Sequence, residues 1–123
     1  MAERILVVED EPFVLMATSD ALRQSGFDVL EAMNADEAVA LLDQDPDGSI
    51  ALVFSDVRMP GAMDGFQLAR WTAERRPGVK VLITSGEIGK GQPPVGFDWQ
   101  RDFVRKPYRL TDVVEMIRSA VKA

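Results

Sequence analysis

The sequence contains no cysteine and no histidine. Without cysteine there is no disulfide framework and no thiolate nucleophile, and with histidine missing as well the usual zinc sites cannot be built. The absent histidine also removes the ordinary base of a Ser-His-Asp triad, so any phosphohistidine chemistry has to come from a partner. Aromatic residues are sparse at 7%, and no apolar run is long enough to cross a bilayer. Met1-Ala2-Glu3-Arg4 leads into a short apolar segment with acids directly behind it, which fits no signal peptide. Positive charge is in the minority and scattered, with 14 Lys plus Arg against 20 Asp plus Glu and a net charge of −6. Because clustered cations drive binding to a phosphate backbone, neither direct nucleic-acid binding nor membrane association is expected. The expected location is cytoplasmic.

What is present fits one domain. The chain has 123 residues and is 46% hydrophobic, and a chain of that length buries roughly two-thirds of its unfolded surface, enough for a real core. Residues 1–123 are therefore expected to form a single domain. The final helix runs to Ala123, so no output domain is expected after it.

Strand-like and helix-like segments alternate along the chain. Arg4–Val8 is a buried-strand run that empties into Glu9, Asp10 and Glu11, and Pro12 suits the first turn of a helix. That helix carries Phe13, Leu15, Met16, Ala21 and Leu22 as its apolar residues, with Gly26 as a C-terminal cap. Phe27 to Ala32 forms the second strand, and Asn34 caps a helix with the stripe Ala38, Leu41 and Leu42. Pro46, Asp47 and Gly48 mark a turn before the apolar run Ile50 to Phe54, which is placed in the sheet centre and ends in Ser55 and Asp56. A loop from Met59 to Gly65 precedes a helix begun by Phe66, Leu68, Ala69 and Trp71 and stopped by Pro77-Gly78. Val79 to Ile83 is a fourth strand ending in Thr84 and Ser85.

The next segment breaks the alternation. Gly86, Gly89, Gly91, Pro93, Pro94 and Gly96 disfavour a regular helix, so a loop or one broken turn is expected there, with Trp99 as packing. Asp102 to Arg105 is a short last strand, and Thr111 caps a final helix whose apolar face is Val113, Val114, Ile117 and Val121. Apolar strands alternating with amphipathic helices give a doubly wound, five-stranded parallel sheet with helices on both faces and a fourth helix that is short or irregular.

In such sheets ligands bind beyond the carboxyl ends of the strands. The residues there are Glu9 with Asp10, then Asp56, Thr84 and Lys106. Each has a bland explanation as loop composition, but together they make a constellation. Carboxylates brought within about 4 Å repel by several kcal/mol at a protein rim, and a hard divalent cation offsets this. Mg²⁺ takes one or two carboxylates and keeps waters and phosphate oxygens for its remaining positions. An Asp beside Mg²⁺, with a Lys and a hydroxyl at hand, is equipped to attack phosphorus, and Asp56 is the candidate nucleophile. Lys106 would neutralise the transferring oxygens and the Thr84 hydroxyl would donate to one of them.

These residues resemble a response-regulator receiver domain, the phosphoacceptor half of two-component signalling. The resemblance is carried by Ile5-Leu-Val-Val-Glu-Asp-Glu11, Leu52-Val-Phe-Ser-Asp-Val-Arg-Met-Pro60 with Asp64-Gly65, Val81-Leu-Ile-Thr-Ser85, and Phe103-Val-Arg-Lys-Pro107, four motifs in order across the whole chain. It implies a flavodoxin-like receiver fold with Asp56 as the phosphoacceptor. It implies Mg²⁺ (or Mn²⁺) held by Asp10, Asp56 and the Arg58 backbone carbonyl, with Glu9 acting through water. Thr84 and Lys106 would contact the phosphoryl group, Thr84 and Phe103 would form the switch pair, and Lys106-Pro107 would be cis. Arg58 and Gly86 stand where the family tunes water access to the phosphoryl group.

The implied partners are a sensor histidine kinase or a histidine phosphotransfer protein, together with an unknown downstream protein. The implied function is to take a phosphoryl group and signal by changed protein contacts, or to pass it onward, without being an enzyme beyond its own phosphorylation and dephosphorylation. The alternative is a receiver-like binding module that acts without phosphorylation. A metabolite phosphatase fits poorly because Asp56-Val57-Arg58 lacks the second acid of an Asp-x-Asp, and a nucleotide binder fits poorly because the first strand meets acids in place of a glycine-rich cradle.

Overall fold

In the computed structural model, which describes residues 2–45 and 47–122, alternating apolar residues set the layers. The strands are β1 (Arg4–Val8), β2 (Asp28–Ala32), β3 (Ile50–Asp56), β4 (Lys80–Ser85) and β5 (Phe103–Arg105), and the helices are α1 (Pro12–Gln24), α2 (Ala35–Asp43), α3 (Gly65–Arg75) and α4 (Leu110–Lys122). All strands pair in parallel in the order β2-β1-β3-β4-β5, with β3 in the centre. Met1, Pro46 and Ala123, which bound the expected domain and its expected turn, lie outside the described residues.

Side chains alternate across a strand, so Ile5 and Val7 of β1 face one way and Leu6 and Val8 the other. Ile5, Val7, Leu52, Phe54 and Leu82 pack with Leu15 and Leu22 of α1 and with Val113, Val114 and Ile117 of α4. Leu6, Val8 and Val53 pack with Ala38 and Leu42 of α2 and Leu68 of α3 on the opposite face. The apolar face expected for the last helix is core, with Val121 packed at its edge.

Local signals act as expected at several boundaries. Pro12 opens α1, where the Glu11 carboxylate accepts from the Phe13 N–H. Asn34 Oδ1 accepts from the Glu37 N–H at 2.8 Å and starts α2. Asp64 and Gln67 close a reciprocal capping box on α3.

Two expectations are corrected. Phe13 and Met16 are exposed, at 75% and 53%, and the face of α1 that packs is Leu15, Thr18, Ser19 and Leu22. Thr18 and Ser19 are buried on that face at 2% and 0% exposure, where the apolar pattern does not mark them. Thr111 is not the cap of the last helix, because α4 begins at Leu110 and the Asp112 and Val113 N–H groups donate to the Arg109 carbonyl.

Residues 86–102 contain turns and no helix. In place of a helix, Phe97 and Trp99 pack edge-on against Phe66 at 5.5 and 5.8 Å between ring centroids, and Trp99 meets Phe103 at 4.9 Å. Asp98 organises the return, accepting from the Gln100 N–H at 2.8 Å, while the Asp102 carbonyl accepts from Ile83 N–H at 2.8 Å and docks β5. Gly91 rests on the Phe66 ring, where an added Cβ would stand 2.6 Å from a ring carbon. The loop is thus fastened to α3 and β5 by aromatic packing.

Candidate functional site

The carboxyl ends of the strands form one rim, and the sheet register fixes who meets whom there. Asp56 ends β3 opposite Thr84 of β4, and the Val57 N–H donates to the Thr84 carbonyl at 3.0 Å. Asp56 is only 8% exposed. Its Oδ1 accepts from the Arg58 N–H at 3.1 Å, and its Oδ2 accepts from Lys106 Nζ. The Lys106 N–H donates in turn to the Ser85 carbonyl at 2.9 Å, and the Lys106-Pro107 bond is cis as expected.

Burial disfavours the Lys106 ammonium, but the hydrogen bond to Asp56, that residue's charge and the charge of Glu9 outweigh it, and its pKa lies above the ordinary lysine value. Glu9 follows β1, is buried, and accepts from the Glu11 N–H at 3.3 Å. Burial pushes its carboxyl above the ordinary range, with Asp10 and Asp56 adding to the rise while the Glu11 N–H and Lys106 oppose it. The Thr84 hydroxyl is buried and has no hydrogen-bond partner.

Glu9, Asp56, Thr84 and Lys106 are thus gathered at one place, with Asp10 exposed at its edge. Among the described residues no three acidic side chains converge to hold a cation between them. Lys106 pairs directly with Asp56, and the carboxyl that is raised, first by burial and then by Asp10 and Asp56, is that of Glu9. Phe103 is 5% exposed and packed under Trp99, one register position away from Val104, the partner of Thr84.

Sequence reasoning missed Glu87 and Lys90. The Arg58 side chain reaches Glu87, Nη2 to Oε1 at 3.4 Å, and Lys90 Nζ takes the other oxygen at 3.3 Å. The three side chains wall a cavity of about 370 Å³ that also touches Val57 and Ser85, the residues following Asp56 and Thr84. The i, i+3 spacing of Glu87 and Lys90 was visible in the sequence, but their meeting with Arg58 depends on the sheet order.

Gly65 was visible only as part of a motif. A Cβ there would stand 2.2 Å from the Asp56 carbonyl oxygen, and the Gly65 N–H donates to the Val57 carbonyl at 2.8 Å. Glycine is what lets α3 begin directly against the end of β3.

A parallel sheet of order 2-1-3-4-5 with a polar rim at its carboxyl edge belongs to the flavodoxin-like class. The family model described as the response regulator receiver domain matches residues 5–118. The chain is 31% identical over 123 residues to the response regulator receiver protein CpdR of Brucella abortus, covering 98% of each. It is 30% identical to hybrid signal transduction histidine kinase L of Dictyostelium discoideum over 94% of this chain, yet spans only 7% of that protein's length. The crystal structure of a CheY-like receiver domain protein from Methanospirillum hungatei superposes with a TM-score of 0.83 at 25% identity, covering 99% of this chain and 95% of that one. The chain belongs to the response regulator receiver family, and it is a receiver domain of two-component signalling. Receivers of this family are phosphoryl-accepting signalling modules and not classical enzymes. Among the described residues no helix is long and apolar enough to cross a membrane.

Proposed function

We propose that this domain accepts a phosphoryl group on Asp56 from a phosphohistidine of a sensor histidine kinase or a histidine phosphotransfer protein, and signals by changed protein contacts or passes the group onward. The observation that carries this reading is the pairing of Asp56 with Lys106 beside a Thr84 hydroxyl that is buried without a partner. A buried hydroxyl in that state is costly, and an oxygen of a group seated on Asp56 would satisfy it.

In the transfer a carboxylate oxygen of Asp56 forms the new O–P bond as the P–N bond to the partner's imidazole breaks. Lys106 balances charge on the acceptor and then on the phosphoryl oxygens, and Thr84 donates to one of them. The residues present suit Mg²⁺ (or Mn²⁺), which takes one or two carboxylates such as Asp10 and Asp56 and fills its remaining positions with backbone carbonyl, water and phosphate oxygens. Asp10, Asp56 and the Arg58 carbonyl would hold the ion directly and Glu9 through water. When bound, the ion neutralises charge on the transferring group.

The whole domain, 1–123, acts in this reading as one receiver in the cytoplasm. It catalyses only its own phosphorylation and dephosphorylation. The test is intact mass after incubation with acetyl phosphate, with and without Mg²⁺, for the wild type and Asp56→Asn. A Mg²⁺-dependent gain of one phosphoryl group, lost in the variant, is the expected result. No gain alongside measurable Mg²⁺ binding would favour a binding module that acts without phosphorylation.

A further inference from the structure

We propose that the cavity beside the open stretch of β4 binds a flat, neutral heterocycle carrying a hydrogen-bond donor beside an acceptor, of the aminopurine kind, held on the Val81 N–H and carbonyl. The site is separate from Asp56 and does not depend on that residue accepting a phosphoryl group.

The sheet leaves this edge open. β5 pairs with β4 only at Ile83, Thr84 and Ser85, so Lys80, Val81 and Leu82 have a strand partner on the β3 side alone. The Ile83 N–H donates to the Asp102 carbonyl and the Ser85 carbonyl accepts from the Lys106 N–H, so both residues turn these groups toward β5. Such directions alternate along a strand, and Val81, two positions before Ile83, turns its N–H and carbonyl the same way. The chain does not come to meet them. At Asp102 it turns aside, its N–H donating to the Asp98 carbonyl at 2.7 Å, and among the described residues no backbone hydrogen bond closes that side of Val81. Val81 is half-buried, whereas its partner Val53 on β3 is fully buried. Backbone groups left unpaired in such a place favour an occupant that pairs with them.

A cavity of about 830 Å³ lies against this edge, a volume suited to a small molecule. Its walls stand on the two faces of the sheet, Ala69 of α3 and Phe97 on one, Met116 and Ala120 of α4 on the other. A planar ring lying in the plane of the strand is therefore sandwiched between apolar side chains while its edge faces Val81. The charged side chains around it are already matched: Arg101 Nε meets Asp102 Oδ1 at 2.8 Å, Lys80 Nζ donates to the Ala120 carbonyl at 2.5 Å, and Glu115 stands 3.9 Å from Arg118. This selects a neutral ligand. The edge also selects a short one, because the Val79 N–H is taken by the Arg76 carbonyl at 2.9 Å and only Val81 offers both a donor and an acceptor. From Val79 to Val81 the edge runs about 7 Å, at roughly 3.3 Å per residue. An added peptide strand needs a row of such pairs, whereas a bicyclic ring needs one.

The test uses the full chain with 9-methyladenine, whose amine and ring nitrogen supply donor and acceptor, and with 9-methylpurine, which lacks the amine. Backbone NMR shifts and amide exchange are followed at Val81, with Val53 and Ile83 for comparison. Without ligand, the Val81 amide is expected to exchange about tenfold or more faster than that of Ile83. 9-Methyladenine, titrated to about 5 mM, is expected to shift the Val81 resonance and slow its exchange about threefold or more, leaving Val53 unchanged. 9-Methylpurine is expected to bind about tenfold more weakly for want of one hydrogen bond. Ala73→Leu fills the cavity from an exposed position on α3, so the fold should persist and the shift at Val81 should vanish. Adenosine monophosphate is expected to bind no better than 9-methyladenine. A Val81 amide as slow as that of Ile83 in the free protein, no shift at the highest concentration, equal binding of the two rings, or full binding by Ala73→Leu overturns the proposal. A valine-rich tripeptide that protects Val81 where 9-methyladenine does not would overturn it too, in favour of strand addition.

Discussion

The two ends of β3 treat polar groups in opposite ways. At the amino end Asp45 is satisfied: its Oδ1 accepts from the Ser49 N–H at 3.0 Å and its Oδ2 from the Ile50 N–H at 2.8 Å, and the Ser49 hydroxyl adds a third bond. Burial acts against that carboxylate, but these bonds outweigh it and its pKa lies below the ordinary value. At the carboxyl end Glu9 is pushed up by burial and by acidic neighbours, and the Thr84 hydroxyl has no partner. Asp45 before β3 is thus satisfied, whereas at the carboxyl rim Asp56 is paired but the neighbouring Thr84 hydroxyl is not and the Glu9 carboxyl is raised. In the reading proposed above, the carboxyl rim is where a transferred group would complete the structure.

The sharpest way to break this comparison is Gly65→Ala, because the fold does invest tightly in one feature of the carboxyl end. The added Cβ would fall 2.2 Å from the Asp56 carbonyl oxygen and 2.9 Å from Val57 Cα, and backbone atoms cannot swing aside. The start of α3 must shift, weakening the Gly65 to Val57 hydrogen bond and moving Asp56. A loss of about 3 kcal/mol is expected in denaturant unfolding, with slower phosphorylation of Asp56. A loss under about 1 kcal/mol would mean that the junction yields and that the rim does not depend on α3.

Most of this architecture was legible in the sequence, and the reasons differ by element. β1 and β3 announce themselves as apolar runs, because strands buried on both faces carry no alternation to hide them. β3 continues through Ser55 and Asp56, since its backbone ladder persists after its apolar character ends. The stripe of α1 misled because Thr18 and Ser19 take the i+3 and i+4 positions between Leu15 and Leu22, so hydrophobicity points to Phe13 and Met16 while the packing does not. Glycine and proline foretold that no regular helix follows β4, but not the aromatic cluster of Phe66, Phe97, Trp99 and Phe103 that covers the sheet there. The rim residues were readable because each stands at or just past the carboxyl end of a strand whose apolar run ends there. The Arg58, Glu87 and Lys90 bridge joins different loops, and only the fold reveals it.

A smaller effect sharpens the comparison by pH. Asp45 has a lowered folded pKa, so its contribution is present above its ordinary value of 3.8 and is lost as the pH falls through the folded value. Glu9 has a raised folded pKa, so its contribution is present below its ordinary value of 4.5 and is lost as the pH rises through the folded value. Asp45→Ala should cost about 1 kcal/mol near neutrality, since its hydrogen bonds lie at the surface and are weakened by solvent, and should flatten the acid limb of stability. Glu9→Gln should flatten the fall above pH 4.5 instead, and added Mg²⁺ should shrink the difference between that variant and wild type. Stability measured by denaturant from about pH 3 to 8 separates the two, and parallel profiles for both variants would erase the distinction between the ends.

The smallest expected effect tests the orphaned hydroxyl. Thr84 is 2% exposed, on a strand paired on both sides, and its Oγ1 has no partner. A buried hydroxyl without a hydrogen bond costs about 1–3 kcal/mol by mutational measures, part of which a methyl of similar shape recovers. Thr84→Val should therefore make the unphosphorylated protein more stable by up to about 1 kcal/mol, where the same change at a satisfied threonine would destabilise it. Phosphorylation should raise the melting temperature of the wild type more than that of the variant, because only the wild type has a hydroxyl to offer the new oxygens. If Thr84→Val instead lost stability, the hydroxyl would already be satisfied in the unphosphorylated protein, and the carboxyl end of β3 would be as complete as its amino end.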